Sequence, residues 1–365
     1  MYNTAVGAAA GQKVTTGVSN TLIGGLAGDA ITSGDNNVAM GYQALTTNIL
    51  SDRNVAIGNY ALATHNTGSS SDSYNVAVGF EAGLNVTTGQ FNTLIGALSG
   101  DTITTTGYNT AIGYESLSAN TTGEVQTALG VSALRGNTTG TQNTAVGGNA
   151  MYANTEGDDN VAVGHNALDA NTTASNNTAV GKSALTANTT GASNSALGHQ
   201  AGVAITTGAN NTAIGDSALQ GLSTGSGNVA IGQASGGQGN MINITTESNR
   251  GVFGHDSITH SYVKVDWTVT SDQRDKMNFS EVPHGLSFVN DLQPVKFNFK
   301  KSRENATPHG KTKYGFKAQD ILALEGNNPI VIDNENEDSL KITNSHLMPI
   351  LVKAIQELSE KNDAL

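Results

Sequence analysis

Residues 177–193 read NTAVGKSALTANTTGAS, and variants of this 17-residue unit fill most of the 365-residue chain. Its first five residues follow the pattern N-[TV]-A-[IV]-G, which we call the pentad. Successive pentads begin 17 residues apart except for one step of 21, whose four extra residues fall near Ser69–Ser73. The pentads begin at Asn3, Asn20, Asn37, Asn54, Asn75, Asn92, Asn109, Gln126, Asn143, Asn160, Asn177, Asn194, Asn211 and Asn228.

The composition of the unit predicts its local structure. β-Branched residues alternate with Ala and Gly in the pentad, which favours a short strand. The following x-x-A-L stretch is a second apolar patch, for which we predict a second strand, and N-T-T-G supplies turn residues. Two strands and two turns form one coil, and coils stack at about 4.8 Å. The sequence therefore predicts a mostly β fold, a parallel β-solenoid or β-roll of 17-residue repeats.

The apolar content of each coil predicts an oligomer. A coil has only two or three sizeable apolar side chains, and burying one contributes roughly 1.5–3 kcal/mol. Ordering each residue costs about 1–2 kcal/mol, so a lone chain is poorly stabilised. We therefore expect a homotrimer, in which three chains hide the second apolar patch along a common axis.

Composition excludes several functions. The net charge of −12 argues against a nucleic-acid partner. The chain has no Cys, hence no disulfide, thiolate nucleophile or Cys-based zinc site. The sequence has no apolar run of about 18 residues, so no membrane insertion is predicted. The first residues lack the features of a secretory signal. Aromatic residues are only 5%, which leaves little for stacking on sugars.

Other motifs have ordinary explanations. The sequon at Asn120 recurs with the turn, which favours a turn over glycosylation. The glycines of 236–239 are not followed by a helix with a Lys, so no phosphate loop is predicted. The acidic residues Glu156, Asp158 and Asp159 suit a solvated turn better than a Ca²⁺ site. His255 and His260 form no metal-binding pattern. We therefore expect no cofactor and no metal.

Composition changes near residue 250. All five prolines follow it, as does the single Trp, Trp267. We predict a repeat shaft over residues 1–236, a neck or capping strand within 237–270, where apolar residues alternate over 263–269, and a small α+β domain over 271–365. That domain should end in a long helix with an apolar stripe through Leu347–Leu358. Its predicted core is Phe297, Phe299, Tyr314 and Phe316, and 301–313 is predicted to be a mobile loop.

The stretch SDQRDK at 271–276 is an ordinary helix start when taken alone. Three further blocks follow it: DLQPVKFNFK at 291–300, YGFKAQDILAL at 314–324 and LKITNSHLMPILVKAIQELSEK at 340–361. In this order they resemble the intramolecular chaperone of endosialidase-type phage tailspikes and fibres, the family called peptidase S74. The repeats resemble the β-roll head of trimeric autotransporter adhesins, and the whole is similar to cyanophage-type tail fibres.

The S74 resemblance implies single-turnover self-cleavage by a Ser-Lys dyad. Ser271 would be the nucleophile, Lys276 the base, and Thr270–Ser271 the scissile bond. A serine hydroxyl needs a base to take its proton, and a lysine serves as one only where burial or a nearby cation disfavours its charge. Arg274 is a candidate for that cation, and Asn278 for holding the oxyanion.

The same resemblance implies a virion protein, the host-receptor-binding distal part of a homotrimeric tail fibre. Its C-terminal domain would align three chains before the repeats assemble and then be released by the cut. Its partners would be two further copies, other tail proteins and a host surface receptor, a glycan or an outer-membrane component. Two alternatives remain open, a bacterial trimeric surface adhesin and a glycan-degrading tailspike. Scarce paired carboxylates argue against the tailspike.

Overall fold

The computed structural model describes residues 2–237, 243–255, 271–300, 306–335 and 340–364, with 258, 262, 264, 337 and 338. The chain divides into two compact units, Met1–His255 and Asp256–Leu365. The predicted capping strand over 263–269, including Trp267, lies outside the described residues except for Lys264. The domain boundaries at 236 and 270 stay predictions, although the parallel sheet described next continues to residue 253.

The N-terminal unit contains one parallel sheet of 15 strands in sequence order. Each strand has three residues, and all but the last begin at the second residue of a pentad, so that Ala162 pairs with Ala179 in the next coil. This confirms the predicted parallel β-solenoid. The strands are β1 Thr4–Val6, β2 Thr21–Ile23, β3 Val38–Met40, β4 Val55–Ile57, β5 Val76–Val78, β6 Thr93–Ile95, β7 Thr110–Ile112, β8 Thr127–Leu129, β9 Thr144–Val146, β10 Val161–Val163, β11 Thr178–Val180, β12 Ser195–Leu197, β13 Thr212–Ile214, β14 Val229–Ile231 and β15 Gly251–Phe253.

From β2 onward the central residue of each strand faces the core, and it is Ala except in β2, β6 and β15, which have Leu22, Leu94 and Val252. In β10 and β11 the central Ala162 and Ala179 are fully buried, whereas the flanking β-branched residues are partly or fully exposed. The predicted second strand is wrong, because the A-L stretch forms a turn. Ala184 and Leu185 of that turn are fully buried inside their own coil. The second apolar patch is therefore not available to partner chains, contrary to our expectation.

Two kinds of coil fill this core. One kind places Leu at the ninth position and Asn at the twelfth, as in Leu185 and Asn188. The other places Gly at the ninth position and Ile or Val at the twelfth, as in Gly28 and Ile31. A Cβ on Gly28 would come within 2.8 Å of the Ile31 Cδ1 atom. Most coils therefore receive a large aliphatic side chain from one of these two positions, while the coil that opens at Asn211 has Leu at both, and Leu22 and Leu94 add a second buried side chain to their own coils.

Buried asparagines connect the coils. From Asn20 onward the residue that opens each pentad is buried, and it is Asn in every coil but that of Gln126. The Asn160 Oδ1 atom accepts a hydrogen bond of 2.9 Å from the Asn177 backbone N–H. The Asn160 Nδ2 group donates to the Ala174 carbonyl at 2.8 Å. A second amide column runs through the twelfth position, where Asn171 Nδ2 donates to Asn154 Oδ1 at 2.7 Å. These asparagines, which the sequence suggested as turn residues, satisfy buried backbone groups that would otherwise cost about 1–3 kcal/mol each.

His65 interrupts the second amide column in the 21-residue coil. It stands where the preceding coil has Asn48, it is fully buried, and its Nε2 atom lies 3.1 Å from the Ser73 Oγ atom. Burial lowers the pKa of His65 from 6.5 to about 4, opposed by a hydrogen bond with the Thr87 backbone. The folded coil therefore favours the neutral imidazole.

Acidification is expected to destabilise the solenoid through His65. His65 binds a proton near pH 6.5 in the unfolded chain and near pH 4 in the folded chain. The stability that the neutral His65 contributes is therefore complete above pH 6.5 and is lost as the pH falls to 4. The loss is about 3 kcal/mol. Urea unfolding of the unaltered protein and of the His65→Asn variant, at pH 7 and pH 4.5, measures it. An equal pH dependence in both proteins would contradict this assignment.

The C-terminal unit is α+β and ends in a long helix, as predicted. Its elements are α1 Leu286–Asp291, β16 Val295–Lys300, β17 Pro308–Gly315, α2 Ala318–Glu325, β18 Ile332–Asp333, β19 Lys341–Ile342 and α3 Leu347–Asp363. Strands β16 and β17 pair antiparallel, as do β18 and β19. Helices α1 and α3 meet at Glu357, whose Oε2 atom accepts a hydrogen bond of 2.7 Å from the Leu286 N–H group.

Two details of this unit differ from expectation. Residues 308–313 belong to β17 and are not a loop, and residues 301–305 lie outside the described part. The core consists of Phe288, Ile321, Val331, Ile332, Leu347 and Ile350. Phe316 packs against it, but Phe299 and Tyr314 are exposed, at 44% and 84%. Aromatic residues on a two-stranded ribbon have no second layer of their own to cover them, which the sequence pattern does not reveal.

Candidate self-cleavage site

The candidate site lies in an exposed segment at the start of the C-terminal unit. Residues 271–281 are all exposed, and the only regular structure among them is a 3₁₀ helix over Gln273–Asp275. Asp272 caps this helix, since its Oδ1 atom accepts a hydrogen bond of 2.9 Å from the Arg274 N–H group. The Lys276 N–H group closes the turn by donating to the Gln273 carbonyl. A capped turn of this kind reverses the chain direction between Ser271 and Lys276.

The turn brings the two predicted catalytic side chains together. The Lys276 Nζ group donates a hydrogen bond to the Ser271 Oγ atom at 2.7 Å, although the residues are five apart in sequence. The two atoms are within proton-transfer distance, and a neutral Lys276 amine at the same place would accept the hydroxyl hydrogen instead of donating. Both side chains are exposed in the single chain.

Arg274 pairs with a neighbour inside the turn. Its Nη2 and Nε groups bind the Asp272 carboxylate, at 2.6 Å and 3.1 Å. The Arg274 side chain lowers the pKa of the Asp272 carboxyl, and the carboxylate in turn raises the pKa of Arg274. The guanidinium charge is thus matched within the turn. The suggested effect of Arg274 on Lys276 stays a prediction.

The remaining site residues are less defined. Asn278 has a left-handed backbone with φ of +59°, two residues beyond Lys276, and the structure gives it no hydrogen bond to Ser271. Thr270, the residue before the predicted scissile bond, lies outside the described part of the chain. The structure therefore brings Ser271 and Lys276 together, and leaves the oxyanion site and the bond itself as predictions.

Two further features of the described residues concern membranes and metals. No described helix is long and apolar enough to cross a membrane. Within the described ranges, no three His, Asp or Glu side chains come together as metal ligands. The sequence-based predictions did not include the buried His65 or the exposed aromatic residues Tyr74, Phe91 and Tyr108. Aligned repeats show that these three aromatic residues precede the pentads of consecutive coils.

Comparison with known proteins identifies this region. Residues 271–326 match the model of the peptidase S74 family, described as the chaperone of endosialidase. No curated protein and no solved structure matches the chain. The matched segment begins at Ser271 and includes the turn, α1, the β16–β17 ribbon and α2. The chain therefore carries a chaperone-of-endosialidase segment of the peptidase S74 family, which follows a β-solenoid of 17-residue coils.

Proposed function

We propose that this protein is the distal shaft of a bacteriophage tail fibre, a homotrimer whose C-terminal domain directs its own assembly. The observation that carries the proposal is the order of the two parts, a long parallel β-solenoid followed by a chaperone-of-endosialidase segment. A stack of similar coils depends on long-range contacts and can pair out of register. A domain that holds three chains together would fix the register before the coils pair.

The outer face of the sheet is the surface best suited to the other two chains. The last residue of each of the 15 strands is Val, Ile, Leu, Met or Phe, and the first is Thr, Val, Ser or Gly. Neither column contains a charge. The strip is roughly 70 Å long and about 10 Å wide, on the order of 700 Å², close to the roughly 800 Å² that each partner buries in a stable interface. Its repeat matches that of another copy of the chain.

Helix α3 has a second apolar face for the same assembly. Leu347, Ile350 and Ala354 are buried against the domain core, whereas Met348, Val352 and Ile355 are exposed. The helix is thus apolar on more of its surface than its own domain covers. Three such helices would bury these side chains against each other.

The dyad would then release the assembly domain. The Ser271 hydroxyl attacks the Thr270 carbonyl carbon while Lys276 takes the hydroxyl proton. The Thr270–Ser271 C–N bond breaks, the Ser271 nitrogen receives the proton, and an ester to the Ser271 oxygen remains. Water hydrolyses this ester and leaves a carboxylate at Thr270. Burial disfavours an ammonium ion, and the exposed dyad acquires burial only when chains assemble, so assembly would precede the cut.

Native mass spectrometry tests the proposal directly. The unaltered protein is expected to contain three copies of residues 1–270, with or without the released domain. A chain truncated after residue 270 before it has ever assembled is expected to give aggregates or single chains, because register is no longer fixed. A monomeric, fully folded product from both chains would refute the assembly role. Immunogold labelling of phage particles with antibody to residues 1–236 tests the place in the tail.

A further inference from the structure

The residue immediately before each pentad has an unusual backbone conformation. From Ser19 to Asn249 this residue is left-handed, with φ between +49° and +63° where it is not glycine. This conformation suits Gly, Asn and Asp and costs other residues roughly 1–2 kcal/mol. Much of the solenoid follows that preference, with residues Asn36, Asp159, Asn176, Asn210, Gly227 and Asn249.

Five consecutive coils break the preference. They carry Arg53, Tyr74, Phe91, Tyr108 and Val125 at this position, all with φ near +49° to +61°, and the next coil continues the run with Gln142. Burial does not offset the strain, because Tyr74, Phe91 and Tyr108 are 47%, 41% and 62% exposed. Bulky side chains held in a strained conformation and left in solvent are typical of binding surfaces.

Three of these residues form what we call the aromatic ladder: Tyr74, Phe91 and Tyr108. The Tyr74 and Phe91 ring centroids are 5.8 Å apart with an interplanar angle of 19°, and those of Phe91 and Tyr108 are 5.1 Å apart at 10°. The Arg53 guanidinium lies 5.6 Å from the Tyr74 ring centroid at one end. The ladder is an ordered set of parallel rings on the surface.

The 21-residue coil lines this ladder with polar groups. Its extra residues include Asp72, whose Oδ2 atom accepts a hydrogen bond of 3.2 Å from the Tyr74 hydroxyl, and whose Oδ1 atom pairs with Arg53. The Gln90 side chain donates to the Ser71 hydroxyl at 3.4 Å. The insertion, which occurs in one coil of the repeat array, is thus placed beside the ladder.

We propose that the aromatic ladder and its polar rim bind a neutral cell-surface glycan. Because the rings are stacked on each other, their exposed edges give a continuous apolar strip for the C–H groups of a sugar, and the sugar hydroxyls bond to carboxylate, guanidinium and hydroxyl groups such as those of Asp72, Arg53 and Ser71. Arg53 is already paired with Asp72, and the net charge of −12 opposes an acidic polymer. The inference rests on the proposed function, since it places the receptor site of the fibre.

A triple variant tests the site. Tyr74→Asn, Phe91→Asn and Tyr108→Asn install the residue that the chain itself uses at Asn36, Asn176 and Asn210. The assay is binding to an array of neutral and acidic oligosaccharides. The unaltered protein is expected to bind neutral members, and the triple variant at least tenfold more weakly. The thermal midpoint of the variant should be unchanged or higher, because Asn relieves the left-handed strain. Gln142→Asn, at the same position in a coil without the ladder, is the control and should bind normally.

The other outcomes overturn the inference. Equal binding by the triple variant, or no binding of any neutral oligosaccharide by the unaltered protein, removes the glycan site. A lower thermal midpoint or a changed number of copies in the variant assigns the ladder to packing between chains instead. If the unaltered protein still assembles as three copies in these cases, the proposed fibre function stands. A single-chain protein would count against the fibre rather than the glycan site.

Discussion

The Ser271→Ala variant is expected to remain one 365-residue chain under conditions in which the unaltered protein separates into residues 1–270 and 271–365. The hydroxyl that accepts the Lys276 hydrogen bond at 2.7 Å is then missing, and no nucleophile replaces it. Lys276→Arg should have the same effect, because arginine keeps its proton at any ordinary pH. Denaturing electrophoresis with intact-mass measurement gives both the extent and the position of the cut.

Arg274→Gln is the matched control for the dyad. Arg274 lies in the same turn, but its guanidinium binds Asp272 and not the dyad. We therefore expect this variant to be cut, with a rate lowered by less than tenfold through a looser turn. Complete loss of cleavage in Arg274→Gln, or cleavage of Ser271→Ala, would show that the Ser271–Lys276 contact is not the catalytic one.

The Gly113→Ala variant is expected to disrupt the solenoid between two coils. Gly113 ends its pentad with φ of +145°, and a Cβ there would lie 2.3 Å from the Gly130 carbonyl oxygen of the next coil. The added Cβ is attached to the backbone of one coil, and the carbonyl oxygen belongs to the backbone of the next. Because these coils are paired in register, neither atom can move without separating them. We expect a loss of about 4 kcal/mol or more, the range that accompanies strong backbone clashes, measured by urea unfolding.

Gly148→Ala provides the comparison within the same surface. Gly148 directly follows a pentad, and the nearest atom to a Cβ there would be His165 Cδ2 at 3.5 Å, an ordinary contact. Its free energy of unfolding should change by less than about 1 kcal/mol, in the stabilising direction if it changes. Similar losses in both glycine variants would mean that chain flexibility, and not the approach of the coils, explains the effect.

The sequence predicted the features that repeat and could not predict their orientation. The spacing of 17 residues and the strand in each pentad are confirmed in β1 to β15, because the period and the alternation of residue types are visible directly. Alternation does not say which side faces inward. In this narrow coil the small Ala162 occupies the interior and the larger Val161 and Val163 face outward, the reverse of what side-chain hydrophobicity alone would suggest.

The candidate site shows a similar division. The order of four short blocks predicted the chaperone segment, which the family match over residues 271–326 confirms. The predicted pair Ser271 and Lys276 came from the same resemblance, and their contact depends on the Asp272 cap that folds the turn. The role suggested for Arg274 stays a prediction, and its ion pair with Asp272, two residues away, is a contact that the sequence alone could not show.

The two kinds of coil have a consequence for how this shaft can change its length. Five successive coils, which contain Leu117, Leu134, Met151, Leu168 and Leu185 with an Asn three residues later, are interchangeable neighbours. Loss or duplication of a whole 17-residue unit inside this run would still leave each internal Asn side chain beside another Asn side chain. At the edge of the run, Ile205 stands where Asn188 stands in the preceding coil, so an amide meets an aliphatic side chain. Loss or duplication of a unit there would move this mismatch along the chain without creating a second one. Solenoids of different length can therefore arise by recombination between these units, while the aromatic ladder and the C-terminal unit stay intact.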